Sequence, residues 1–365
     1  MRKLNPENER VKRDYLAWLK NANGRDASTL DQVAAAINAF EAFTRYRPFK
    51  GFRREQATSF KEHLVEQQNP LTGKPLSKST LHSRLHALRA FFEWLSREPG
   101  YRKGMLHSDA AYFGLSSNDV RVATARRASK TPSLAQVLDL LGKMPGDTIV
   151  QRRDRAVVAF TILSGARDSA IASMRLKHID LATGQVHQDA REVRTKNAKT
   201  FTSLFFPIGD RPRQIVEDWI AELENDLRFG PDDPLFPATR TGLDEQGFFT
   251  TSGLTRDVWA TAAPIRAIFK GGFIAAGMTY FTPHSFRRTL MAEARRRNLK
   301  HRELKAWSQN LGHTSVLTSL LSYSEMAFED QVDAMAGLAD PSDDEQAEIL
   351  AVAKQLVALQ KRRAG

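Results

Sequence analysis

Residues 311–325 read LGHTSVLTSLLSYSE, which places His313 after a Leu-Gly turn and Tyr323 ten positions later. A tyrosine hydroxyl has a pKa of about 10 and is a weak nucleophile at neutral pH, so it attacks only where a base takes its proton and positive charge gathers at its target. Groups able to do both stand upstream. In TILSGARDSAIASMRL an apolar run stops at Ser164 and Gly165, and Arg167 follows. There a guanidinium fork and the N–H groups of a starting helix can hold one anion together. In TPHSFRRTL, Thr282 is an N-cap candidate and Pro283 takes the first helical position, so His284 and Arg287 fall one turn apart on one face. The positive helix end favours the neutral, proton-accepting form of His284. Lys196, near the turn of a short hairpin, can carry an ammonium to a leaving oxygen. Taken singly, each group also fits an ordinary solvated or capping side chain.

Their order is more specific. An arginine after Ser-Gly, a hairpin lysine, HxxR, LGH and then a tyrosine together resemble the tyrosine recombinase (phage integrase) family, over residues 167–323. A looser resemblance covers residues 11–97, where STLHSRLHALRAFFEWL is similar to the last helices of that family's core-binding domain. The resemblance implies that Arg167 and Arg287 clamp the non-bridging oxygens of one DNA phosphate and that His313 adds a donor. It further implies that His284 assists proton transfer at Tyr323, the nucleophile, and that Lys196 protonates the departing 5′ oxygen. Lys199 competes with Lys196 for that last role, and the hairpin register decides between them. A phosphotyrosine link keeps the energy of the broken phosphodiester, so neither ATP nor a metal is implied, and no cofactor is expected. The pattern departs from the family in two places. Ten positions rather than nine separate His313 from Tyr323, and Ala170 stands where many members carry an acidic residue that steadies the first arginine, with Asp168 a possible substitute.

The elements that must position these groups are mostly helical. Leu81, Leu85, Leu88, Phe92 and Leu95 repeat at helical spacing behind Ser79 or Thr80 as N-cap, with Arg84 and Arg89 interleaved on the face that can meet phosphates. Residues 30–43 and 57–67 are similar amphipathic segments, and residues 69–78 form a loop. Residues 185–207 alternate as a hairpin turning near Asn197 and Ala198, and the remainder is helical. The expected fold is mainly α with a small β-sheet (α+β): a helical core-binding domain over 1–100, a linker over 101–130, a catalytic domain over 131–340 and a helical tail over 341–365, closing on DNA like a clamp. In the tail, Ile349, Val352, Ala353, Leu356 and Leu359 share one face.

Composition points the same way. The 365 residues carry a formal charge of +12, and residues 1–130 hold 24 basic against 13 acidic side chains. Charge so concentrated fits a module that binds a polyanion, and nucleic acid is the common one. With Arg84 and Arg89, Lys78, Lys199 and Arg288 are the expected DNA contacts. The expected partners are double-stranded DNA and further copies of the chain, as a tetramer on paired sites. There is no cysteine and no metal-binding spacing among the nine histidines, so no metal is expected, and the charged start and short apolar runs point to a soluble protein with no membrane partner. A cytoplasmic, nucleoid-associated place in a bacterium is what the resemblance implies. Two other readings share many of these features: a type IB topoisomerase, and a DNA-binding accessory protein whose catalytic set has decayed.

Overall fold

The computed structural model describes residues 4–70, 72–125, 130–243 and 246–313. Tyr323 and the expected tail helix lie outside the described residues. The chain divides into two compact units, Met1–Arg127 and Ala128–Gly365.

The first unit is built from α1 (Pro6–Asn21), α2 (Ala27–Phe43), α3 (Arg54–Glu66), α4 (Lys78–Leu95) and α5 (Ser117–Thr124). α4 buries Leu81, Leu85, Leu88, Phe92 and Leu95, the stripe read from sequence, together with Phe91. Its cap is neither Ser79 nor Thr80 but Ser77, whose extended backbone aims Oγ at the Thr80 N–H, 3.1 Å away. The stripe feeds a core of rings: Phe52 stacks on Phe92 at 4.1 Å, and Phe40 meets Phe60, Phe92 and Phe113 edge-on. Phe113 also corrects the expected linker. Residues 107–113 form 3-10 turns and α5 follows, while Tyr101, Met105, Ala110 and Phe113 are buried in the same core. The segment has no helical period because single side chains anchor it, yet it belongs to the first unit.

The second unit opens with α6 (Leu134–Lys143) and α7 (Ile149–Ser164), both started by capping boxes, on Ser133 and Thr148. The apolar α7 runs through the middle of the core, with Ala156 to Ser164 all buried. It ends on Gly165, whose φ of +63° suits glycine. After α8 (Asp168–Ile171), the strands β1 (Ile179–Asp180), β2 (Gln185–Gln188) and β3 (Phe201–Leu204) form an antiparallel sheet in that order. Val186 pairs with Ser203 and Gln188 with Phe201, so the expected hairpin is present, with residues 189–200 as its connection. α9 (Asp210–Ala221) follows. A second hairpin, β4 (Thr239–Leu243) with β5 (Phe249–Leu254), occupies a stretch expected to be helical. Its β-branched threonines favour strands, but most of its residues are exposed on both faces, so no period-2 alternation marks it. α10 (Ala263–Ala275), α11 (Pro283–Arg296) and α12 (His301–Asn310) complete the described residues. Among the described residues no helix is long and apolar enough to cross a membrane.

Candidate active site

Gly165 is the pivot of the site. A Cβ there would lie 2.6 Å from Leu311 Cδ2 and 3.1 Å from both Leu290 and Phe206, so only glycine lets the end of α7 meet α11 and the turn after α12. Two residues on, Arg167 occupies the N-cap position of α8. Its guanidinium is half-buried and has no hydrogen-bond or ion-pair partner among the described residues. Burial lowers its pKa, and Asp168 opposes that shift, but a guanidinium stays charged at any ordinary pH. Asp168 itself is engaged elsewhere: its Oδ2 accepts from Arg266 Nε at 2.8 Å. It therefore does not grip Arg167 in the manner expected of a replacement for the missing acid at Ala170, which is buried.

Arg287 lies on α11, which starts with Thr282 in extended backbone and Pro283 in the first turn, as the sequence predicts. The side chain is buried and spans three elements. Nη1 donates to the Gly165 carbonyl, Nη2 donates to the Leu311 carbonyl at 2.5 Å, and Nη2 sits 3.3 Å from His313 Nε2. Charge-assisted bonds to two carbonyls fix a fork that would otherwise be mobile. His284, one turn earlier, keeps an exposed face. Its pKa is lowered, first by partial loss of water and then by Arg287, Arg288 and Arg167, so it is neutral at pH 7.

His313 ends the turn that follows α12. Its backbone N–H donates to Ser308 O at 3.2 Å, and Nδ1 lies 3.4 Å from Ser308 Oγ. Burial, reinforced by Arg287, Arg167, Lys199 and His284, pushes its pKa down to about 4. The imidazole is thus a neutral group inside a ring of positive charge. α12 is pinned beneath it by Trp307, whose Nε1 donates to Leu290 O at 3.0 Å and whose ring packs on Phe206.

The two lysines separate clearly. Lys199 Nζ donates to Gly312 O at 3.2 Å and lies over the Phe201 ring, 5.5 Å from its centre. Lys196 is exposed and has no partner among the described residues. Asn197 and Ala198 both adopt positive φ, 60° and 49°, and the chain turns through them between the two side chains. The structure therefore brings Lys199, not Lys196, to His313. Of the other basic candidates, Lys78 is paired with Asp119 and Arg89 with Glu93, each at 2.7 Å, while Arg84 and Arg288 have no side-chain partner among the described residues.

Sequence reasoning missed Arg266, which holds Asp168, and Asn310, whose side chain accepts from Leu204 N–H at 2.6 Å and donates to Leu204 O at 2.8 Å. It also gave no role to Phe201. No local pattern announces contacts between residues about a hundred positions apart. What the described groups can do together is bind one compact anion: a partnerless guanidinium, a second one held on carbonyls, a neutral imidazole and an ammonium.

The profile of the phage integrase family matches residues 134–329, more than half of the chain. The chain belongs to that family. Its likeness to the tyrosine recombinase XerC of Pseudomonas putida (strain W619) is 26% identity over 212 residues, 58% of this chain and 64% of the relative. The chain thus spans less than two thirds of that protein's length. The XerC of Pseudomonas fluorescens is 24% identical over 69% of this chain and 71% of its own. Among solved structures, a lambda integrase dimer bound to a COC′ core site aligns with a TM-score of 0.59 at 13% identity, covering 87% of this chain and 79% of its own. The Tn1549 transposon integrase in complex with transposon right end DNA aligns at 0.54 and 17% identity, covering 90% and 99%. These integrases share the fold, which agrees with the α+β class read from sequence.

Proposed function

We propose that this integrase-family chain is a site-specific DNA recombinase that cleaves and rejoins duplex DNA through a 3′-phosphotyrosine intermediate, using neither ATP nor a metal. The observation that carries the reading is the partnerless, half-buried Arg167 guanidinium gathered with Arg287 and the neutral His313. A half-buried cation without a counter-ion is costly, and a phosphate diester would satisfy it. In this mechanism Arg167 and Arg287 hold the two non-bridging oxygens, and His313 supports the same phosphate. Neutral His284 takes the phenolic proton as Tyr323 attacks phosphorus. The P–O5′ bond breaks, and Lys199 rather than Lys196 gives its Nζ proton to O5′. Rejoining runs the steps in reverse. The positive cluster stabilises charge as it develops in the transition state, which is where such groups accelerate a reaction.

The first unit, with its excess of basic residues, is the module that would hold the duplex, and of its three expected contacts Arg84 is the one without a carboxylate partner among the described residues, since Lys78 and Arg89 pair with Asp119 and Glu93. DNA-bound and dimeric relatives support assembly of several copies on paired sites, a tetramer in the full reaction.

The deciding experiment is incubation with nicked duplexes in which the cleaved fragment diffuses away, using a randomised pool so that no site need be known beforehand. Wild type should capture a subset of sequences covalently, and Tyr323→Phe should bind the same duplexes with no adduct. Attachment through any other residue would overturn the assignment.

A further inference from the structure

β3 is an edge strand of its sheet, and side chains and backbone around the turn after α12 meet its outer side. At one end Asn310 bonds both backbone groups of Leu204. At the other, Phe201 lies against the backbone of Gly312, which has φ +72°: a Cβ on that glycine would meet Phe201 Cζ at 2.8 Å and Cε2 at 3.1 Å. The ring fills the volume that any side chain at position 312 would need. The same ring lies beneath the Lys199 ammonium, whose Nζ also reaches Gly312 O. One aromatic side chain therefore touches both the lysine and the turn that ends in His313.

We propose that Phe201 is a positioning residue for proton transfer: its ring holds the Lys199 ammonium in place and, through Gly312, ties it to His313 as one body. The inference rests on the strand-transfer reading above. A lysine has a long, rotamer-rich stem and a strongly hydrated head, so it keeps a defined position only where something restrains it. An aromatic face does this by attracting the cation without accepting its proton. When P–O5′ breaks, the bonding electron pair leaves with O5′ and the proton passes from Lys199 Nζ to that oxygen, leaving a neutral amine. The ring takes no part in the exchange and keeps the donor aimed.

The test uses the full chain and a nicked duplex captured by wild type, synthesised with either oxygen or sulfur at the scissile 5′ position. A thiol has a pKa of about 8.5, far below that of an alcohol, so sulfur departs as thiolate and needs no proton donor. Phe201→Leu keeps an apolar side chain of similar reach and removes the π face. On the oxygen duplex it should slow single-turnover cleavage by about threefold to thirtyfold, the loss expected for one cation–π contact. On the sulfur duplex it should match wild type, and Lys199→Ala should lose far less there than on the oxygen duplex, whereas Phe201→Tyr should match wild type on both. Phe201→Leu cleaving the oxygen duplex at the wild-type rate, or losing equally on both duplexes, would overturn the proposal. A second measurement needs no DNA. Reductive methylation should label Lys199 more slowly than Lys196 in wild type, and Phe201→Leu should erase the difference; equal labelling in wild type would also overturn it. If wild type labels as expected but forms no adduct on either duplex, the strand-transfer reading fails while the ring's hold on Lys199 stands.

Discussion

At the scale of single residues, Arg287 is asked to do two things. Its fork is held by the carbonyls of Gly165 and Leu311 and must still present positive charge beside His313. A lysine can supply the charge but not a planar fork reaching two carbonyls. Arg287→Lys should therefore bind duplex DNA nearly as wild type while single-turnover cleavage falls by about a hundredfold or more; unchanged cleavage would remove Arg287 from the clamp. Protonation gives a second expectation. His313 titrates near 4 and His284 below its ordinary value, so both are neutral at pH 7 and charge only in acid. Cleavage should stay flat from pH 7.5 to about 6.5 and decline below that as His284 gains a proton. Stability follows the same sign. The unfolded chain binds a proton at position 313 near pH 6.5, while the folded chain resists until about 4. Folding stability should accordingly fall with pH across that window and be insensitive to this group above it. A chemical-denaturation series against pH would show the slope, and stability rising as pH falls from 6.5 to 4 would contradict the depressed pKa of His313.

At the scale of elements, α1 and α2 are joined by an ion pair hidden from water. Lys12 Nζ lies 2.6 Å from Glu41 Oε2, and Asn8 Nδ2 donates to the other Glu41 oxygen at 2.9 Å. The Glu41 side chain is 1% exposed and that of Lys12 9%. Lys12 Nζ also lies 2.5 Å from Glu9 Oε1 and keeps a carboxylate when Glu41 is removed, whereas removing Lys12 strands the buried Glu41 carboxylate. Lys12→Met should therefore cost about 3–5 kcal/mol, while Lys12→Met with Glu41→Leu should recover most of it. Urea unfolding of wild type and the two variants checks this, and a double variant no more stable than the single one would show that the pair itself drives the packing. What the sequence revealed at this scale was local in cause. The stripe of α4, the glycine stop at Gly165 and the Thr282-Pro283 start of α11 are set by neighbours within one or two turns, so spacing alone displays them. The β4–β5 hairpin escaped because strands exposed on both faces lack alternation. Residues 101–113 escaped because isolated side chains, not a face, enter the core. The position of Lys199 beside Gly312 turns on Asn197 and Ala198, whose paired left-handed conformations carry the connection round between it and Lys196. That contact lies 113 positions away in sequence, and nothing near Lys199 encodes it.

At the scale of the whole molecule, the question is what the uneven charge is for. The unit Met1–Arg127 has its own core of stacked and edge-on rings, from Val11 to Phe113, and does not depend on the second unit to bury its apolar side chains. A fragment of residues 1–127 should therefore fold cooperatively. It should also bind duplex DNA, because neutralising phosphates releases counter-ions whatever the base sequence, and the logarithm of its affinity should fall linearly with the logarithm of salt concentration. Each phosphate contact contributes about 0.9 to that slope, so Arg84→Ala should lower it by about one if this partnerless guanidinium touches the backbone. Lys78→Ala and Arg89→Ala should change it less, since their charges are already offset by Asp119 and Glu93. Binding isotherms between about 50 and 200 mM salt are sufficient to read these slopes. A folded fragment whose affinity ignores salt would mean that the basic surface meets something other than a polyanion, and the duplex-holding role proposed for this unit would fall.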